Sequence, residues 1–185
     1  MLLNGSGKQN GQQEEVNLSD KQITYDIDGY EAITPALMDL LNQFPGLMAG
    51  EKISFSTIDG ETGIGMYPVS GAVVEQQRRS ITGMIEEVCL YPFFVVYKAG
   101  GLSESRKAAV KELLDNLGKW LERKEITLVG DRKHKLTDYP KLTGERTILT
   151  ISRQTPAYLN NTEGDMGEVW EIYLSVRYRN KYKAI

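Results

Sequence analysis

The chain has 185 residues, of which 41% are hydrophobic and 25% are charged, and its net charge is -3. These values suit one soluble globular domain, and the acidic balance argues against a general binder of polyanions. A single cysteine excludes an intrachain disulfide, and no apolar run reaches the roughly 20 residues of a membrane helix. The opening residues also lack the apolar stretch of a secretory signal, so we expect a soluble protein made in the cytoplasm.

The first segment differs from the rest in composition. Residues 1–22 are rich in Gly, Gln, Asn and Glu and poor in large apolar side chains. Such a segment cannot bury enough surface to offset the entropy of ordering, so we expect a flexible, polar and acidic arm. Residues 23–185 are then expected to form a single α+β domain.

A first helix is predicted over residues 34–44. Thr34 can cap it, and Pro35 suits the first helical position. Apolar side chains at spacings of three and four give it one apolar face: Leu37, Leu40, Leu41 and Phe44.

Strands are predicted next, at residues 52–58, 64–71, 72–79 and 84–98, with turns at 59–63 and 80–83. The last strand is apolar in both phases from Val88 to Val96. That pattern is typical of a strand buried on both faces, or of a central strand that helices cover on one side. Pro92 predicts a bulge or bend within it.

The clearest helix is predicted over residues 104–122, with Ser103 as its cap. One apolar stripe follows its length: Val110, Leu113, Leu114, Leu117, Trp120 and Leu121. Further strands are predicted at 126–130, 146–154 and 168–183, separated by loops at 130–145 and 160–167. Strands in runs with two principal helices predict an α+β fold, whose sheet is mainly antiparallel or mixed, with both helices packed on one face.

The last strand, "EVWEIYLSVRYRNKYK", alternates strictly. One phase is apolar: Trp170, Ile172, Leu174, Val176 and Tyr178. The other phase carries Arg177, Arg179 and Lys181. A period of two puts the phases on opposite faces, so one face should be core and the other should look outward. We predict these three cations as a protein-interaction face that meets a neighbouring copy of the chain or an acidic surface of a partner. A plain solvated face is the alternative.

The sequence predicts no catalytic, cofactor or metal site. "GSGK" at residues 5–8 lacks both the earlier glycine and the Ser or Thr that a phosphate-binding loop needs. His134, the only histidine, has no partners at metal-ligand spacing. Cys89 lies within an apolar strand, where an inert buried thiol is expected. A Cys89–His134 pair that meets in space keeps a small enzyme as the least favoured alternative.

A second alternative is a nucleic-acid-binding module. "VRYRNKY" alternates basic and aromatic residues, as platforms for single-stranded nucleic acid do. In a strand, however, Tyr178 and Tyr182 face away from the cations, which separates stacking from phosphate contact. We therefore do not expect nucleic acid as a specific ligand.

The succession of elements resembles a known family. The order is a helix ("TPALMDLLNQF"), a hairpin through "GIGMYPVSGAVVEQQRRSITG", a long strand ("MIEEVCLYPFFVVYK"), a helix ("LSESRKAAVKELLDNLGKWL") and a last strand ("VWEIYLSVRY"). Over roughly residues 30–180 this order resembles the tail terminator proteins of long-tailed bacteriophages, and the related minor capsid proteins of their head–tail joining clusters. The resemblance rests on element order and local texture, since the family has no invariant motif.

The resemblance implies a small structural subunit that forms a hexameric ring. That ring would cap the finished tail tube and offer a surface to the head connector. The expected partners are other copies of the chain, the major tail protein and the head connector protein. The resemblance further implies a virion protein that is made in the host bacterial cytoplasm, with no catalysis, no cofactor and no membrane contact.

Overall fold

The computed structural model describes residues 23–58, 62–100, 102–160 and 167–184. The predicted arm at 1–22 and most of the predicted loop at 160–167 lie outside these ranges. The described residues form an α+β fold with a mostly antiparallel sheet, which confirms the predicted fold class. The two helices are α1 (Ile27–Leu41) and α2 (Glu104–Leu121). The strands are β1 (Tyr25–Asp26), β2 (Ile53–Phe55), β3 (Gly63–Pro68), β4 (Ala72–Arg79), β5 (Met84–Ala99), β6 (Ile126–Leu128), β7 (Arg132–His134), β8 (Arg146–Arg153), β9 (Tyr158–Asn160) and β10 (Glu168–Lys183).

Two long antiparallel strands, β5 and β10, form the centre of the main sheet. They pair over their whole length, from Glu168 opposite Ala99 to Lys183 opposite Met84. β3 and β4 lie beside β5, and β8 and β9 lie beside β10. β1 pairs with β4, and β2 pairs with β3 in parallel, so the sheet is mixed at that edge. β6 and β7 form a separate hairpin.

The predicted hairpin of β3 with β4 is wrong. The two strands follow one another along β5, with Pro68 opposite Phe93 and Val73 opposite Leu90. Pro92 lies at the junction between them, where its carbonyl accepts a hydrogen bond of 3.0 Å from the Val69 N–H. The N–H that proline lacks would point to the same side, where the ladder is already interrupted. Pairing with β10 therefore passes through Pro92 without a register shift, so the predicted bulge is wrong, while the alternative of a bend stays a prediction.

Both helices pack on the same face of the sheet, as predicted. The rings of Phe44, just after α1, and Trp120 on α2 lie 5.6 Å apart at their centroids. On the sheet below, the side chains of Tyr91, Phe93 and Tyr178 are fully buried. The predicted apolar faces of the two helices belong to this core, with Leu113 only partly buried. β5 is thus a central strand that helices cover on one side.

The first helix begins earlier than predicted. Its N-cap is Asp26, whose Oδ1 accepts from the Gly29 N–H at 3.1 Å, and it runs through Pro35 in its interior. Interior proline removes one helical hydrogen bond and leaves the carbonyl four residues earlier unpaired. That residue is Glu31, and both Glu31 and Pro35 are exposed, so water can satisfy the carbonyl. Thr34 is therefore not the cap; its hydroxyl donates to the Tyr30 carbonyl at 2.8 Å.

The second helix agrees with its predicted bounds to one residue. Ser103 stands at the N-cap, but its side chain makes no capping hydrogen bond. Gly118 permits close approach to the sheet, because a Cβ there would lie 2.8 Å from Cδ1 of Ile172 on β10. The long loop predicted at 130–145 is partly wrong, since it contains β7.

Candidate functional site

The sheet face opposite the helices is the candidate functional surface. Alternation along β5 separates the two faces: Phe93 and Val95 are fully buried beneath the helices, while Phe94 and Val96 are half-buried on the other side. No described helix covers that second face, which we call the open face. The main-chain register divides it into a charged half and an aromatic half.

The charged half contains the three predicted interaction residues. Arg177, Arg179 and Lys181 do point to the open face, as the alternation predicts, and each has a carboxylate within reach. Arg177 Nε lies 2.9 Å from Glu75 Oε2 on β4. Lys181 Nζ lies 3.1 Å from Glu86 Oε2 on β5, and Arg179 Nη1 lies 3.8 Å from Glu86 Oε1.

These ion pairs bear on why Arg177, Arg179 and Lys181, which we call the cation row, share one face. A hydrogen bond from Lys181 lowers the pKa of Glu86, so the carboxylate stays charged beside its partners. Charges sorted onto one face therefore have an explanation inside the sheet: cations of β10 face carboxylates of β4 and β5 across the strands. Sorting alone no longer implies a partner. The interaction face formed by Arg177, Arg179 and Lys181 stays a prediction.

The aromatic half lies at the other end of β10. The Phe94 and Tyr173 rings stack across the strands with centroids 4.8 Å apart. Beside them is a shallow groove of about 570 Å³, which we call the aromatic groove. It is lined by Tyr67, Phe94, Val96, Tyr158, Asn160 and Glu171. Sequence reasoning missed this groove, because its walls come from β3, β5, β9 and β10, which are far apart in the chain.

Glu171 is the charged residue in the lining of the aromatic groove. Tyr158 donates its hydroxyl to Oε2 at 3.0 Å, and Asn160 donates its side-chain amide to Oε1 at 2.9 Å. Both donors are on β9, which pairs with β10 at this point. Among the described residues no cation forms an ion pair with Glu171. The carboxylate is thus fixed in position while its charge remains without a counter-ion in the described part of the chain.

The predicted chemistry residues lie apart. Cys89 is fully buried on β5, and burial raises the pKa of its thiol to about 12. His134 is on β7, in the separate hairpin, and no hydrogen bond or ion pair links it to Cys89 within the described ranges. The described residues contain no cluster of three or more His, Cys, Asp and Glu side chains that could hold a metal ion. None of the described helices is both long and apolar enough to span a membrane.

The platform suggested by "VRYRNKY" is not formed by the two tyrosines of that stretch. Tyr178 is fully buried in the core, and the Tyr182 hydroxyl donates to Glu87 Oε1 at 2.9 Å. Both therefore face away from Arg177, Arg179 and Lys181, as predicted. A base stacked on either ring would not lie beside these cations.

Comparisons with known proteins do not assign the chain to a family. No protein-family model matches the chain, and a search of curated proteins finds no similar sequence. The resemblance to tail terminators therefore rests on the order of elements and the local texture of the sequence.

Proposed function

We propose that the chain is a non-enzymatic virion assembly protein of the tail-terminator or minor-capsid kind, encoded by a bacteriophage or prophage. In this role it is a ring subunit that caps the tail tube and contributes to head–tail joining. Its partners are other copies of itself, the major tail protein and the head connector. It acts in the tail or neck of the virion.

One observation carries the proposal: a long sheet has its core on one face, and none of the described helices covers its other face. β5 and β10 each run for 16 residues, which is longer than the average strand. The open face combines half-buried aromatic side chains with ion pairs. This mixture is typical of a protein–protein contact surface, where an apolar centre is flanked by polar groups.

The order of elements also supports the proposal. The resemblance implies a first helix, a long strand, a second helix and a last strand, and these correspond to α1, β5, α2 and β10. The hairpin it also implies is formed by β4 with β5 instead of by β3 with β4. The likeness therefore concerns the main framework of the sheet and helices.

Assembly in vivo tests this function. The gene should lie beside one for a major tail protein, and its deletion should leave heads and tails that fail to join. Supplying the gene on a plasmid should restore infectious particles. If a phage that lacks the gene yields normal numbers of infectious particles with tails of normal length, the proposed function is wrong.

The alternative of a small enzyme makes an opposite prediction for Cys89. A catalytic thiol must be reachable and partly ionised, whereas a buried thiol with a raised pKa reacts slowly. We expect iodoacetamide to label the native protein far more slowly than the urea-unfolded protein. Equal rates in the two states would favour the enzyme.

A further inference from the structure

We propose that the aromatic groove is the docking site for the β6–β7 hairpin of a second copy of this chain. The inference rests on the proposed ring-forming function and names the contact between neighbouring subunits. The groove offers aromatic rings and one fixed carboxylate, Glu171. Its occupant should therefore present an apolar tip next to a cation.

The hairpin has both features. Its tip residue, Val129, is 94% exposed, although it is a large apolar side chain. The tip is held by two residues in the left-handed region, Gly130 at φ 84° and Asp131 at φ 57°. Arg132 follows directly, is exposed, and has no ion-pair partner among the described residues. The other cation of β7, Lys133, already pairs with Glu125 at 2.9 Å, so Arg132 is the cation that the hairpin offers to the groove.

The chemistry of the two surfaces is complementary. A guanidinium can lie over an aromatic face and donate to a carboxylate at the same time. In the groove, the rings of Tyr67 and Tyr158 could pack against the guanidinium, and Glu171 could accept its hydrogen bond. Val129 would then cover aromatic surface that the monomer leaves half-exposed.

The positions of the two surfaces indicate how copies would associate. Ile126 of β6 belongs to the core that α2 covers, so the hairpin lies on the helix side of the molecule. The groove lies on the open face, opposite the helices. One copy's hairpin therefore reaches the groove of a different copy, and the contact joins two unlike surfaces. Contacts of this kind propagate into a closed ring or an open filament and do not end at a symmetric dimer.

The experiment compares the size distribution of the purified full-length chain by sedimentation velocity over a range of protein concentrations. We expect the wild type to form species larger than a dimer. R132E and E171K should each raise the protein concentration needed for assembly at least tenfold. The double variant R132E/E171K should recover most of the lost assembly. E112K, which changes the charge of an exposed residue on α2, is the matched control and should assemble like the wild type.

A mixture of two variants, each with one added cysteine besides the buried Cys89, provides an independent readout that does not depend on weakened assembly. Val129→Cys and Asn160→Cys chains, mixed and oxidised, should form the mixed disulfide in excess over either homodimer. The inference is overturned if R132E and E171K assemble as well as the wild type, or if the wild type stays monomeric. A ring that survives both substitutions leaves the proposed function intact. Failure of the deletion experiment above counts against the function itself.

Discussion

Arg146 and Asp26 form a two-point ion pair that joins β8 to the start of α1. Arg146 donates from Nε to Oδ2 at 3.1 Å and from Nη2 to Oδ1 at 3.0 Å, across 120 residues of sequence. The same carboxylate accepts from the Tyr178 hydroxyl at 2.9 Å and caps α1 through Gly29. Burial opposes ionisation, but the hydrogen bonds from Arg146 and Tyr178 outweigh it and lower the pKa of Asp26.

Replacing Asp26 with Asn should destabilise the protein strongly. Only 5% of the Asp26 side chain and 13% of the Arg146 side chain are exposed, so the variant leaves a buried guanidinium without its counter-ion. Breaking such a pair costs about 3–5 kcal/mol. Urea unfolding measures the loss. Glu104→Gln is the control, because the Glu104 side chain is 91% exposed in its pair with Lys107, and it should cost less than about 1 kcal/mol. A loss that small for Asp26→Asn would contradict the described network.

Acid should weaken the Glu122–Arg153 pair within a defined pH range. Arg153 donates to both carboxylate oxygens at 3.0 Å. Burial alone would raise the pKa of Glu122, but the hydrogen bonds from Arg153 and Lys124 hold it at about 2, against an ordinary 4.5. A depressed pKa in the folded state stabilises the protein above the unfolded value, and this contribution disappears as the pH falls through the folded value.

The free energies of unfolding of wild type and Glu122→Gln should therefore differ most above a pH of about 4.5 and converge as the pH approaches about 2. Taking the difference between the two proteins removes the titration of other carboxylates that both share. A difference that does not change over this range would show that Glu122 is not held by Arg153 as described.

Leu117 should contribute to the core through α2. Its side chain is 2% exposed and belongs to the same buried cluster as residues of the sheet. Leu117→Ala should cost about 2–5 kcal/mol in a denaturant titration, because it removes buried surface and leaves a cavity. Glu112→Ala, at an exposed position of the same helix, should change stability by less than about 0.5 kcal/mol. A similar small effect for Leu117 would place it at the surface.

The sequence patterns of α2 and β10 predicted these elements, because each pattern reflects the burial of one face of the element. The stripe of α2 and the alternation of β10 each follow from one face packing in the core, and both were found in the predicted places. The start of α1 was missed because Pro35 was expected at the first helical position. In the structure Asp26 caps the helix, and Pro35 is tolerated in its interior on the exposed side. The pairing of β3 and β4 was also missed, since neighbouring strands in sequence do not need to pair in space.

The candidate site was predicted only in part. The shared face of Arg177, Arg179 and Lys181 could be predicted because they occupy one phase of one strand, while their role as an interaction face stays a prediction. Their partners Glu75 and Glu86 come from two other strands, and the strand register decides that they meet. The aromatic groove was not predicted, because Tyr67 and Glu171 are brought together only by the shared neighbour β5.

Neutralising the cation row should leave the fold intact and weaken attachment to a tail tube. The pairs with Glu75 and Glu86 are more than a third exposed, so each contributes little to stability. The triple variant R177Q/R179Q/K181Q should keep the circular dichroism spectrum of the wild type. Its melting temperature should be lower by only a few degrees. Glutamine is preferred to glutamate here, because reversal would place like charges beside Glu86. Normal tube binding by this variant, at low and at physiological salt, would show that the row is only solvated surface.

Electron microscopy of the purified chain mixed with tail tubes would show whether the chain caps a tube. The tubes would be assembled from the major tail protein of the same genome, and a chain labelled with gold at an added C-terminal tag would mark the position. If the chain is a tail terminator, we expect a ring of label at one end of each tube, and tubes capped in this way should stop growing. Tubes that remain bare and continue to elongate, or that carry label along their whole length, would contradict it.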